Sequence, residues 1–370
     1  MSNLARVVGC NSYRQQLREQ AIEILAELAL DVPVNMSRKI IATLRHLFLD
    51  GRSNSSDTSQ VEEVDSKTVR RKAGEALVRL LSNRTARAST SIAIQAMLLG
   101  HDESTDAVVN RGQSGSNLVT RLSDMLEDKV CQVSAAEIIE QLCLHFTKYH
   151  QLPKQVATNL LAKVVNQILS VKTRANDTAI MESGNNNHVA ENDVESQPPK
   201  DADRNQSSIQ QNYDQSEERR FLTALLSLAL LICNKLTDAD DFSCAVTEDA
   251  ALVKKLLEII YMNNFLTADC LRIMKLTCQM LKAMVQLKPS CIKYIREYNF
   301  MEALCNISKS MSDLDKSMLF NGDYHWTTKS ARSLASLVKE VQDELSKSQE
   351  QELVKVLEKL EEKEICFLVS

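Results

Sequence analysis

The sequence predicts an all-α fold, and three observations support this expectation. Glycine and proline are scarce, at 8 and 5 of 370 residues, and aromatics make up 4% of the chain. Strand-rich proteins need turn residues together with aromatic or β-branched strands, so this composition favours helix. Apolar residues recur at steps of three and four, which is the periodicity of an amphipathic helix. Finally, the octet Ala-x-Glu-x-Leu/Ile-x-x-Leu occurs three times, beginning at Ala21, Ala73 and Ala135.

In the first half of the chain, the apolar periodicity predicts a series of helices separated by polar loops. The helices fall near residues 14–30, 36–50, 67–82, 86–100, 116–127, 131–148 and 153–171. Pro33 and Pro153 separate neighbouring helices, and the fixed φ of Pro153 suits a first turn. The polar stretches 52–66 and 101–116 are expected to be surface loops.

A long polar segment divides the chain. From about Lys172 to Glu218 it is rich in Asn, Gln, Asp, Glu and Ser, so burial cannot offset the entropy of ordering it. The sequence therefore predicts an N-terminal helical half (1–171), a disordered linker (172–218) and a C-terminal helical half (219–370). Helices in the second half are expected near 219–236, 247–262, 266–287, 289–310 and 326–347, with a charged capping helix near 350–364.

The longest apolar run extends from Phe221 to Cys233. It is shorter than the about 20 residues that a membrane-spanning helix needs, so we expect a fully buried helix and no membrane span within this chain.

The repeated octet places its apolar residues on one side of a helix. At about 100° per residue, the first, fifth and eighth positions form a narrow stripe, and the Glu points to the opposite face. The three predicted stripes are Ala21, Leu25 and Leu28; Ala73, Leu77 and Leu80; and Ala135, Ile139 and Leu142. A repeated stripe with a repeated outward acid indicates one structural unit used several times.

The third octet ends a longer segment, Asn117–Cys143, that resembles the armadillo repeat. The positions that match its Leu-Val-x-x-Leu helix, its Asp-containing turn and its closing helix are, in that order, Leu118, Val119, Leu122 and Leu126; Asp128 and Val130; and Ala135, Ala136, Ile138, Ile139 and Leu142. The match is partial around 18–50 and 70–100 and weak after the linker. More narrowly, the chain looks like a poorly characterised group of plant armadillo-repeat proteins.

The resemblance implies a degenerate armadillo/HEAT-like superhelix interrupted by the linker. The octets begin 52 and 62 residues apart (21 to 73 and 73 to 135), against about 40–47 for such repeats. The loops at 52–66 and 101–116 absorb most of this excess. Simple degenerate helical pairs remain an alternative.

The family places the octet's third and seventh positions on a concave binding groove. In this chain the corresponding groove-lining residues are Glu23, Glu75 and Glu137 at the third position, and Glu27, Arg79 and Gln141 at the seventh. Importin-type members carry Trp and Asn there, and the chain's only tryptophan, Trp326, lies outside all three octets, so a nuclear-import role does not carry over. The acids predict a local negative field that favours a basic segment of a protein partner. A plain solvated helix face is the alternative.

Catalytic, metal and cofactor motifs are not predicted. Gly112 and Gly115 lie in a stretch that lacks the lysine of a phosphate loop, and His145 and His150 diverge on a helix rather than converge on a metal. The "GDYHW" cluster at 322–326 is best explained as a loop anchored by Trp326. With 44 basic and 49 acidic residues the net charge is -5, which gives no attraction to nucleic acid.

Ten cysteines without a C-x-x-C pair indicate buried, reduced thiols in the cytoplasm or nucleus. The leading functional expectation is a non-catalytic protein–protein interaction scaffold or adaptor that binds a partner segment along its concave face. Two alternatives remain open. One is the soluble repeat portion of a membrane-tethered plant armadillo-repeat protein, which is membrane-associated if an upstream segment exists. The other is a helical enzyme.

Overall fold

The computed structural model describes residues 2–50, 60–82, 87–99, 111–149, 152–171, 202–235, 239–320, 332–348, 350 and 354. Within these ranges the regular secondary structure is helical, and no described residue belongs to a strand. The all-α prediction is therefore confirmed for this part of the chain.

The helices of the first half are α1 (Ser2–Asp31), α2 (Val34–Asp50), α3 (Gln60–Ser82), α4 (Arg87–Leu99), α5 (Arg111–Asp124), α6 (Gln132–Tyr149) and α7 (Lys154–Ser170). Those that follow are α8 (Ala202–Cys233), α9 (Ala239–Ala245), α10 (Asp249–Met262), α11 (Ala268–Leu287), α12 (Ile292–Glu297), α13 (Phe300–Ser310), α14 (Ser312–Phe320) and α15 (334–348). Single 3₁₀ turns cover Met125–Glu127 and Pro289–Cys291.

Contacts between the helices arrange most of them in two rows. In one row α1 packs against α3, α3 against α6, α6 against α8, and α8 against α11. We call these five helices the octet row, because α1, α3 and α6 carry the three octets. In the second row α2, α4, α5, α7, α10 and α13 follow one another. One continuous apolar core runs between the rows, from Ile22 to Val341.

Two of the three predicted apolar stripes are buried as expected. Every member of the α3 and α6 stripes is at most 3% exposed: Ala73, Leu77, Leu80, Ala135, Ile139 and Leu142. The prediction for α1 is wrong, because Ala21 is exposed and Leu28 is 45% exposed. There the buried stripe is shifted by one residue, to Ile22, Ala26 and Ala29. The octet row explains the difference, since α3 and α6 have row neighbours on both sides, whereas α1 has only α3.

Helix α8 joins the two predicted halves. All ten residues from Phe221 to Leu230 are buried, which confirms the prediction of a buried helix. Its neighbours are α6 and α7 from the first half and α11 from the second. Burial on all sides is what a helix in the middle of a row requires.

The structure differs from the predicted linker over residues 202–218, where α8 has already begun. The helix from Ala202 contains neither glycine nor proline, and its polar part is rich in Gln, Glu and Arg. Such residues extend a helix that is anchored by a buried C-terminal end. The remainder of the predicted linker, 172–201, lies outside the described residues.

Several helix boundaries also differ from those that the apolar periodicity predicts. The helix predicted for 289–310 is broken, because Asn299 adopts a left-handed conformation with φ 49°, which asparagine tolerates better than most residues. Helices α3 and α5 begin inside the predicted loops 52–66 and 101–116. Helices α9 and α14 were not predicted. The "GDYHW" cluster, His150 and most of the capping helix lie outside the described residues, as does the side chain of His145.

Candidate functional site

The octet row carries two adjoining cavities that share Arg220. Cavity A, of about 200 Å³, lies between α3, the turn before α6, and α8. Its charged lining residues are Lys67, Arg71, Glu75, Lys129, Glu217 and Arg220. Cavity B, of about 230 Å³, lies between α6, α8 and α11. Its charged lining residues are Glu137, Glu140, Arg220, Asp269 and Arg272. We call the two cavities together the row groove.

The three glutamates at the third octet position lie on successive helices of the octet row. Lys72 connects the first two, because its Nζ lies 3.3 Å from a carboxylate oxygen of Glu23 on α1 and 3.6 Å from one of Glu75 on its own helix. Glu137 on α6 is paired instead with Arg220 of α8, at 2.8 and 3.1 Å. Each predicted acid therefore has a cationic partner.

Glu137 is the most enclosed of the three acids, with 20% of its side chain exposed, against 48% for Glu23. Burial raises the pKa of the Glu137 carboxyl above its ordinary value of 4.5, and Arg220 offsets only part of this effect. Glu75 contributes to the same increase in pKa, so the carboxylates of neighbouring octets interact. The acids thus share one surface, but they do not create an uncompensated negative field.

The residues at the seventh octet position do not line either cavity. Glu27 and Arg79 are exposed, and Gln141 is half-buried. The first octet's Glu23 also lies outside both cavities. Of the six predicted groove-lining residues, the row groove contains Glu75 and Glu137.

A buried ion pair fixes the turn that forms one wall of cavity A. Arg70 on α3 donates from Nη1 to Asp128 at 2.9 Å and from Nε to the carbonyl oxygen of Phe48 at 3.3 Å. The other carboxylate oxygen of Asp128 accepts from the Val130 N–H at 3.1 Å. The backbone carbonyl of Asp128 accepts from the N–H of Gln132 at 2.8 Å. Asp128 and Val130 therefore form a turn that is tied to α3.

Close packing at Gly74 sets the distance between α2, α3 and α6. A Cβ atom built on this glycine would lie 2.7 Å from the Phe48 ring and 2.8 Å from the Cβ of Ser134. Both distances are shorter than any ordinary carbon–carbon contact, so a larger residue requires the helices to move. Gly74 therefore permits α6 to approach α3 at the wall of cavity A.

The balance of charge differs between the two cavities. Cavity A is lined by four cationic side chains and two carboxylates, whereas cavity B is lined by three carboxylates and two guanidinium groups. The sequence did not predict the cations. Arg220 directly precedes the apolar run that begins at Phe221, and nothing in the local pattern assigns it to a site. Its contact with Glu137 joins residues 83 positions apart, which no local pattern reveals.

The described residues contain no group of three or more His, Cys, Asp or Glu side chains placed to hold a metal ion. Four cysteines have a pKa that burial raises to about 12: Cys143, Cys233, Cys278 and Cys291. Such thiols stay protonated at neutral pH and are poor nucleophiles. Within the described part of the chain, no helix has the length and apolarity to cross a bilayer.

Comparisons with known proteins identify no family. No family model matches the chain, and no curated protein matches it. Among solved structures, a crystal structure of an engineered protein shows 15% sequence identity, covering 89% of this chain and 97% of that one, with a TM-score of 0.34. That TM-score is too low to indicate a shared fold.

Proposed function

We propose that the protein is a non-catalytic scaffold, built as a degenerate armadillo/HEAT-like array, that binds an extended segment of a partner protein in the row groove. The observation that supports this proposal is the pair of adjoining cavities on successive helices of one row, with Arg220 shared between them. Stacked helical units bind through extended surfaces of this kind.

The geometry of the groove suits an extended segment better than a small molecule. Each cavity is small, and the lining of each combines charges of both signs. A segment that crosses Arg220 contacts both cavities, which a compact ligand of either volume cannot do. Cavity B has an excess of carboxylates and therefore fits a basic side chain. We propose that the basic part of the partner segment binds there.

The chemistry of the groove supports binding rather than catalysis. Glu137 is held by Arg220, Glu75 pairs with Arg71 at 3.3 Å, and Glu140 accepts from the Ser227 hydroxyl at 2.5 Å. Groups held in this way are oriented to bind the side chains of a partner segment, which is the role we propose for them. The buried thiols fit a cytoplasmic or nuclear protein, which is the location we propose.

Peptide selection with a matched pair of variants tests the proposal. The full chain is screened against a displayed library of protein-derived peptides, and selected peptides are titrated against Arg220→Ala and Arg79→Ala. Both arginines are at least partly exposed, but only Arg220 lines the groove. We expect affinity to fall at least tenfold in Arg220→Ala and to be unchanged in Arg79→Ala. Failure to enrich any peptide over an unrelated helical protein, or equal behaviour of the two variants, contradicts the proposal.

A further inference from the structure

We propose that cavity A binds the phosphate group of a phosphorylated serine or threonine in the partner segment. This inference rests on the proposed function, because it assigns the chemistry of one part of the row groove. Three features of the cavity support it: its excess of cations, free backbone donors at the start of α6, and a serine hydroxyl that is accessible from the cavity and has no partner among the described residues.

The cations of cavity A come from three separate parts of the chain. Lys67 and Arg71 lie one turn apart on α3, Lys129 lies in the turn before α6, and Arg220 projects from α8. With Glu75 and Glu217 counted, the lining has an excess of two positive charges, or of one when Glu137, the partner of Arg220, is included. A phosphomonoester carries about 1.5–2 negative charges at neutral pH, which this excess complements.

Lys129 is the cation that is available to a ligand. It is exposed, and it makes no hydrogen bond or ion pair with any residue that the structure describes. Arg71 is paired with Glu75, and Arg220 with Glu137; the guanidinium group of Arg220 keeps donors beyond those that contact Glu137. A phosphate in the cavity therefore meets one uncommitted ammonium and two oriented guanidinium groups.

The first turn of α6, a helix of 18 residues, opens into the same cavity. The N–H groups of Gln132 and Ala135 donate to the carbonyls of Asp128 and Cys131. Between them, the N–H groups of Val133 and Ser134 donate to no acceptor among the described residues, and both residues line cavity A. Unused N–H groups at a helix start, together with the helix dipole, favour an anion.

The Ser134 side chain provides an independent indication of a ligand. The residue is only 5% exposed and lines the cavity, yet its hydroxyl makes no hydrogen bond to any described residue. The oxygen is not one of the described buried side-chain atoms that lack a partner, so it is accessible from the cavity and open to a hydrogen bond with a ligand. A phosphate oxygen held by the N–H groups of Val133 and Ser134 lies within reach of this hydroxyl and satisfies it.

The position of cavity A makes a peptide the source of the phosphate. Arg220 separates cavity A from cavity B and lines both. A phosphorylated side chain in cavity A leaves the adjoining residues of its segment to cross Arg220 into cavity B. Free phosphate gains nothing from the second cavity, so a phosphopeptide is expected to bind more tightly than inorganic phosphate.

Three degenerate peptide libraries test the inference on the full chain, with phosphoserine, serine or glutamate at one fixed central position. We expect at least tenfold tighter binding of the phosphoserine library than of the serine library. Lys129→Glu should abolish this preference, and Ser134→Ala should reduce it several-fold without loss of folding. Lys254→Glu is the matched control, because Lys254 is an exposed lysine on α10 outside both cavities, and it should leave the preference unchanged.

The possible outcomes separate this inference from the proposed function. Equal binding of serine and phosphoserine peptides, lost in Arg220→Ala, overturns the phosphate site but supports the groove. Glutamate peptides that bind as tightly as phosphoserine peptides also overturn it, in favour of a carboxylate site. Inorganic phosphate that binds as tightly as the phosphopeptides overturns the peptide assignment. If no library binds, both proposals fail.

Discussion

The ion pair between Arg70 and Asp128 gives the most quantitative prediction for stability. The side chains are 6% and 16% exposed, so neither charge is well hydrated. Asp128→Ala removes the 2.9 Å ion pair and the acceptor of the Val130 N–H, and it leaves the guanidinium with a single bond to the Phe48 carbonyl. Loss of one partner of a buried pair costs about 3–5 kcal/mol, because the other charge stays buried. We expect the free energy of unfolding to fall by about that amount.

Two further variants divide this loss into its parts. Asp128→Asn keeps a neutral acceptor for Val130, so it should cost less, about 1–3 kcal/mol. Arg70→Met leaves Asp128 partly hydrated and bound to the Val130 N–H, so we expect a similar cost. The double variant Arg70→Met/Asp128→Ala should be about 2 kcal/mol more stable than the sum of the single effects, because no buried charge remains.

Urea unfolding followed by circular dichroism at 222 nm measures these differences, and equal m-values show that the variants unfold from comparable states. Lys316→Ala is the control, because Lys316 pairs with Asp313 on the exposed surface of α14, and it should leave the midpoint unchanged. A loss below about 1 kcal/mol for Asp128→Ala, or strict additivity in the double variant, would refute the interpretation of Asp128 as the residue that ties the turn to α3.

Three further predictions concern packing, pH and thiol chemistry. Gly74→Ala should lower the thermal midpoint, since overpacking costs about 1–3 kcal/mol and outweighs the about 1 kcal/mol gained in helix propensity, and Ser134→Gly in the same chain should recover part of the loss. Because burial raises the pKa of Glu137 above 4.5, the native state binds more protons than the unfolded state above that pH. The free energy of unfolding of the wild type, relative to that of Glu137→Gln, should therefore decrease as pH rises through the pKa of Glu137 in the folded state. Urea titrations at a series of pH values measure this difference, and a difference that does not change with pH contradicts the raised pKa. In the native protein, thiol labelling with peptide mapping should modify the exposed Cys244 and spare Cys143, Cys233, Cys278 and Cys291; rapid labelling of the latter set contradicts their burial.

Local patterns predicted the helices well, because helix periodicity and burial act over a few residues. The stripes of α3 and α6 and the buried run after Phe221 follow directly from apolar spacing. The α1 stripe failed because its octet has two apolar sides, and the choice between them depends on which neighbours the helix has. Asn299 broke a predicted helix because a left-handed residue leaves no mark in the apolar pattern.

The candidate site was predicted only in part, since its cations come from distant segments. Glu75 and Glu137 were identified from the octet, but Arg220 reaches Glu137 only after α8 packs on α6. Lys129 lies in the turn before α6, and Ser134 lies in the first turn of that helix, whose start is set by Asp128. These residues meet the cations of α3 and α8 only when the helices stack, and no local signal in a single sequence encodes that stacking.

The most direct test of the account concerns the packing of α8 on α6 and α7, which makes the octet row continuous across residues 172–201. A protease site is inserted within that segment and cleaved in the folded protein, and the product is examined by size-exclusion chromatography, native mass spectrometry and thermal unfolding. We predict that the two fragments stay associated, elute with the uncut chain and unfold together in one transition. Fragments that separate at micromolar concentration, or that unfold in two independent transitions, would contradict the continuous row and the groove built on it.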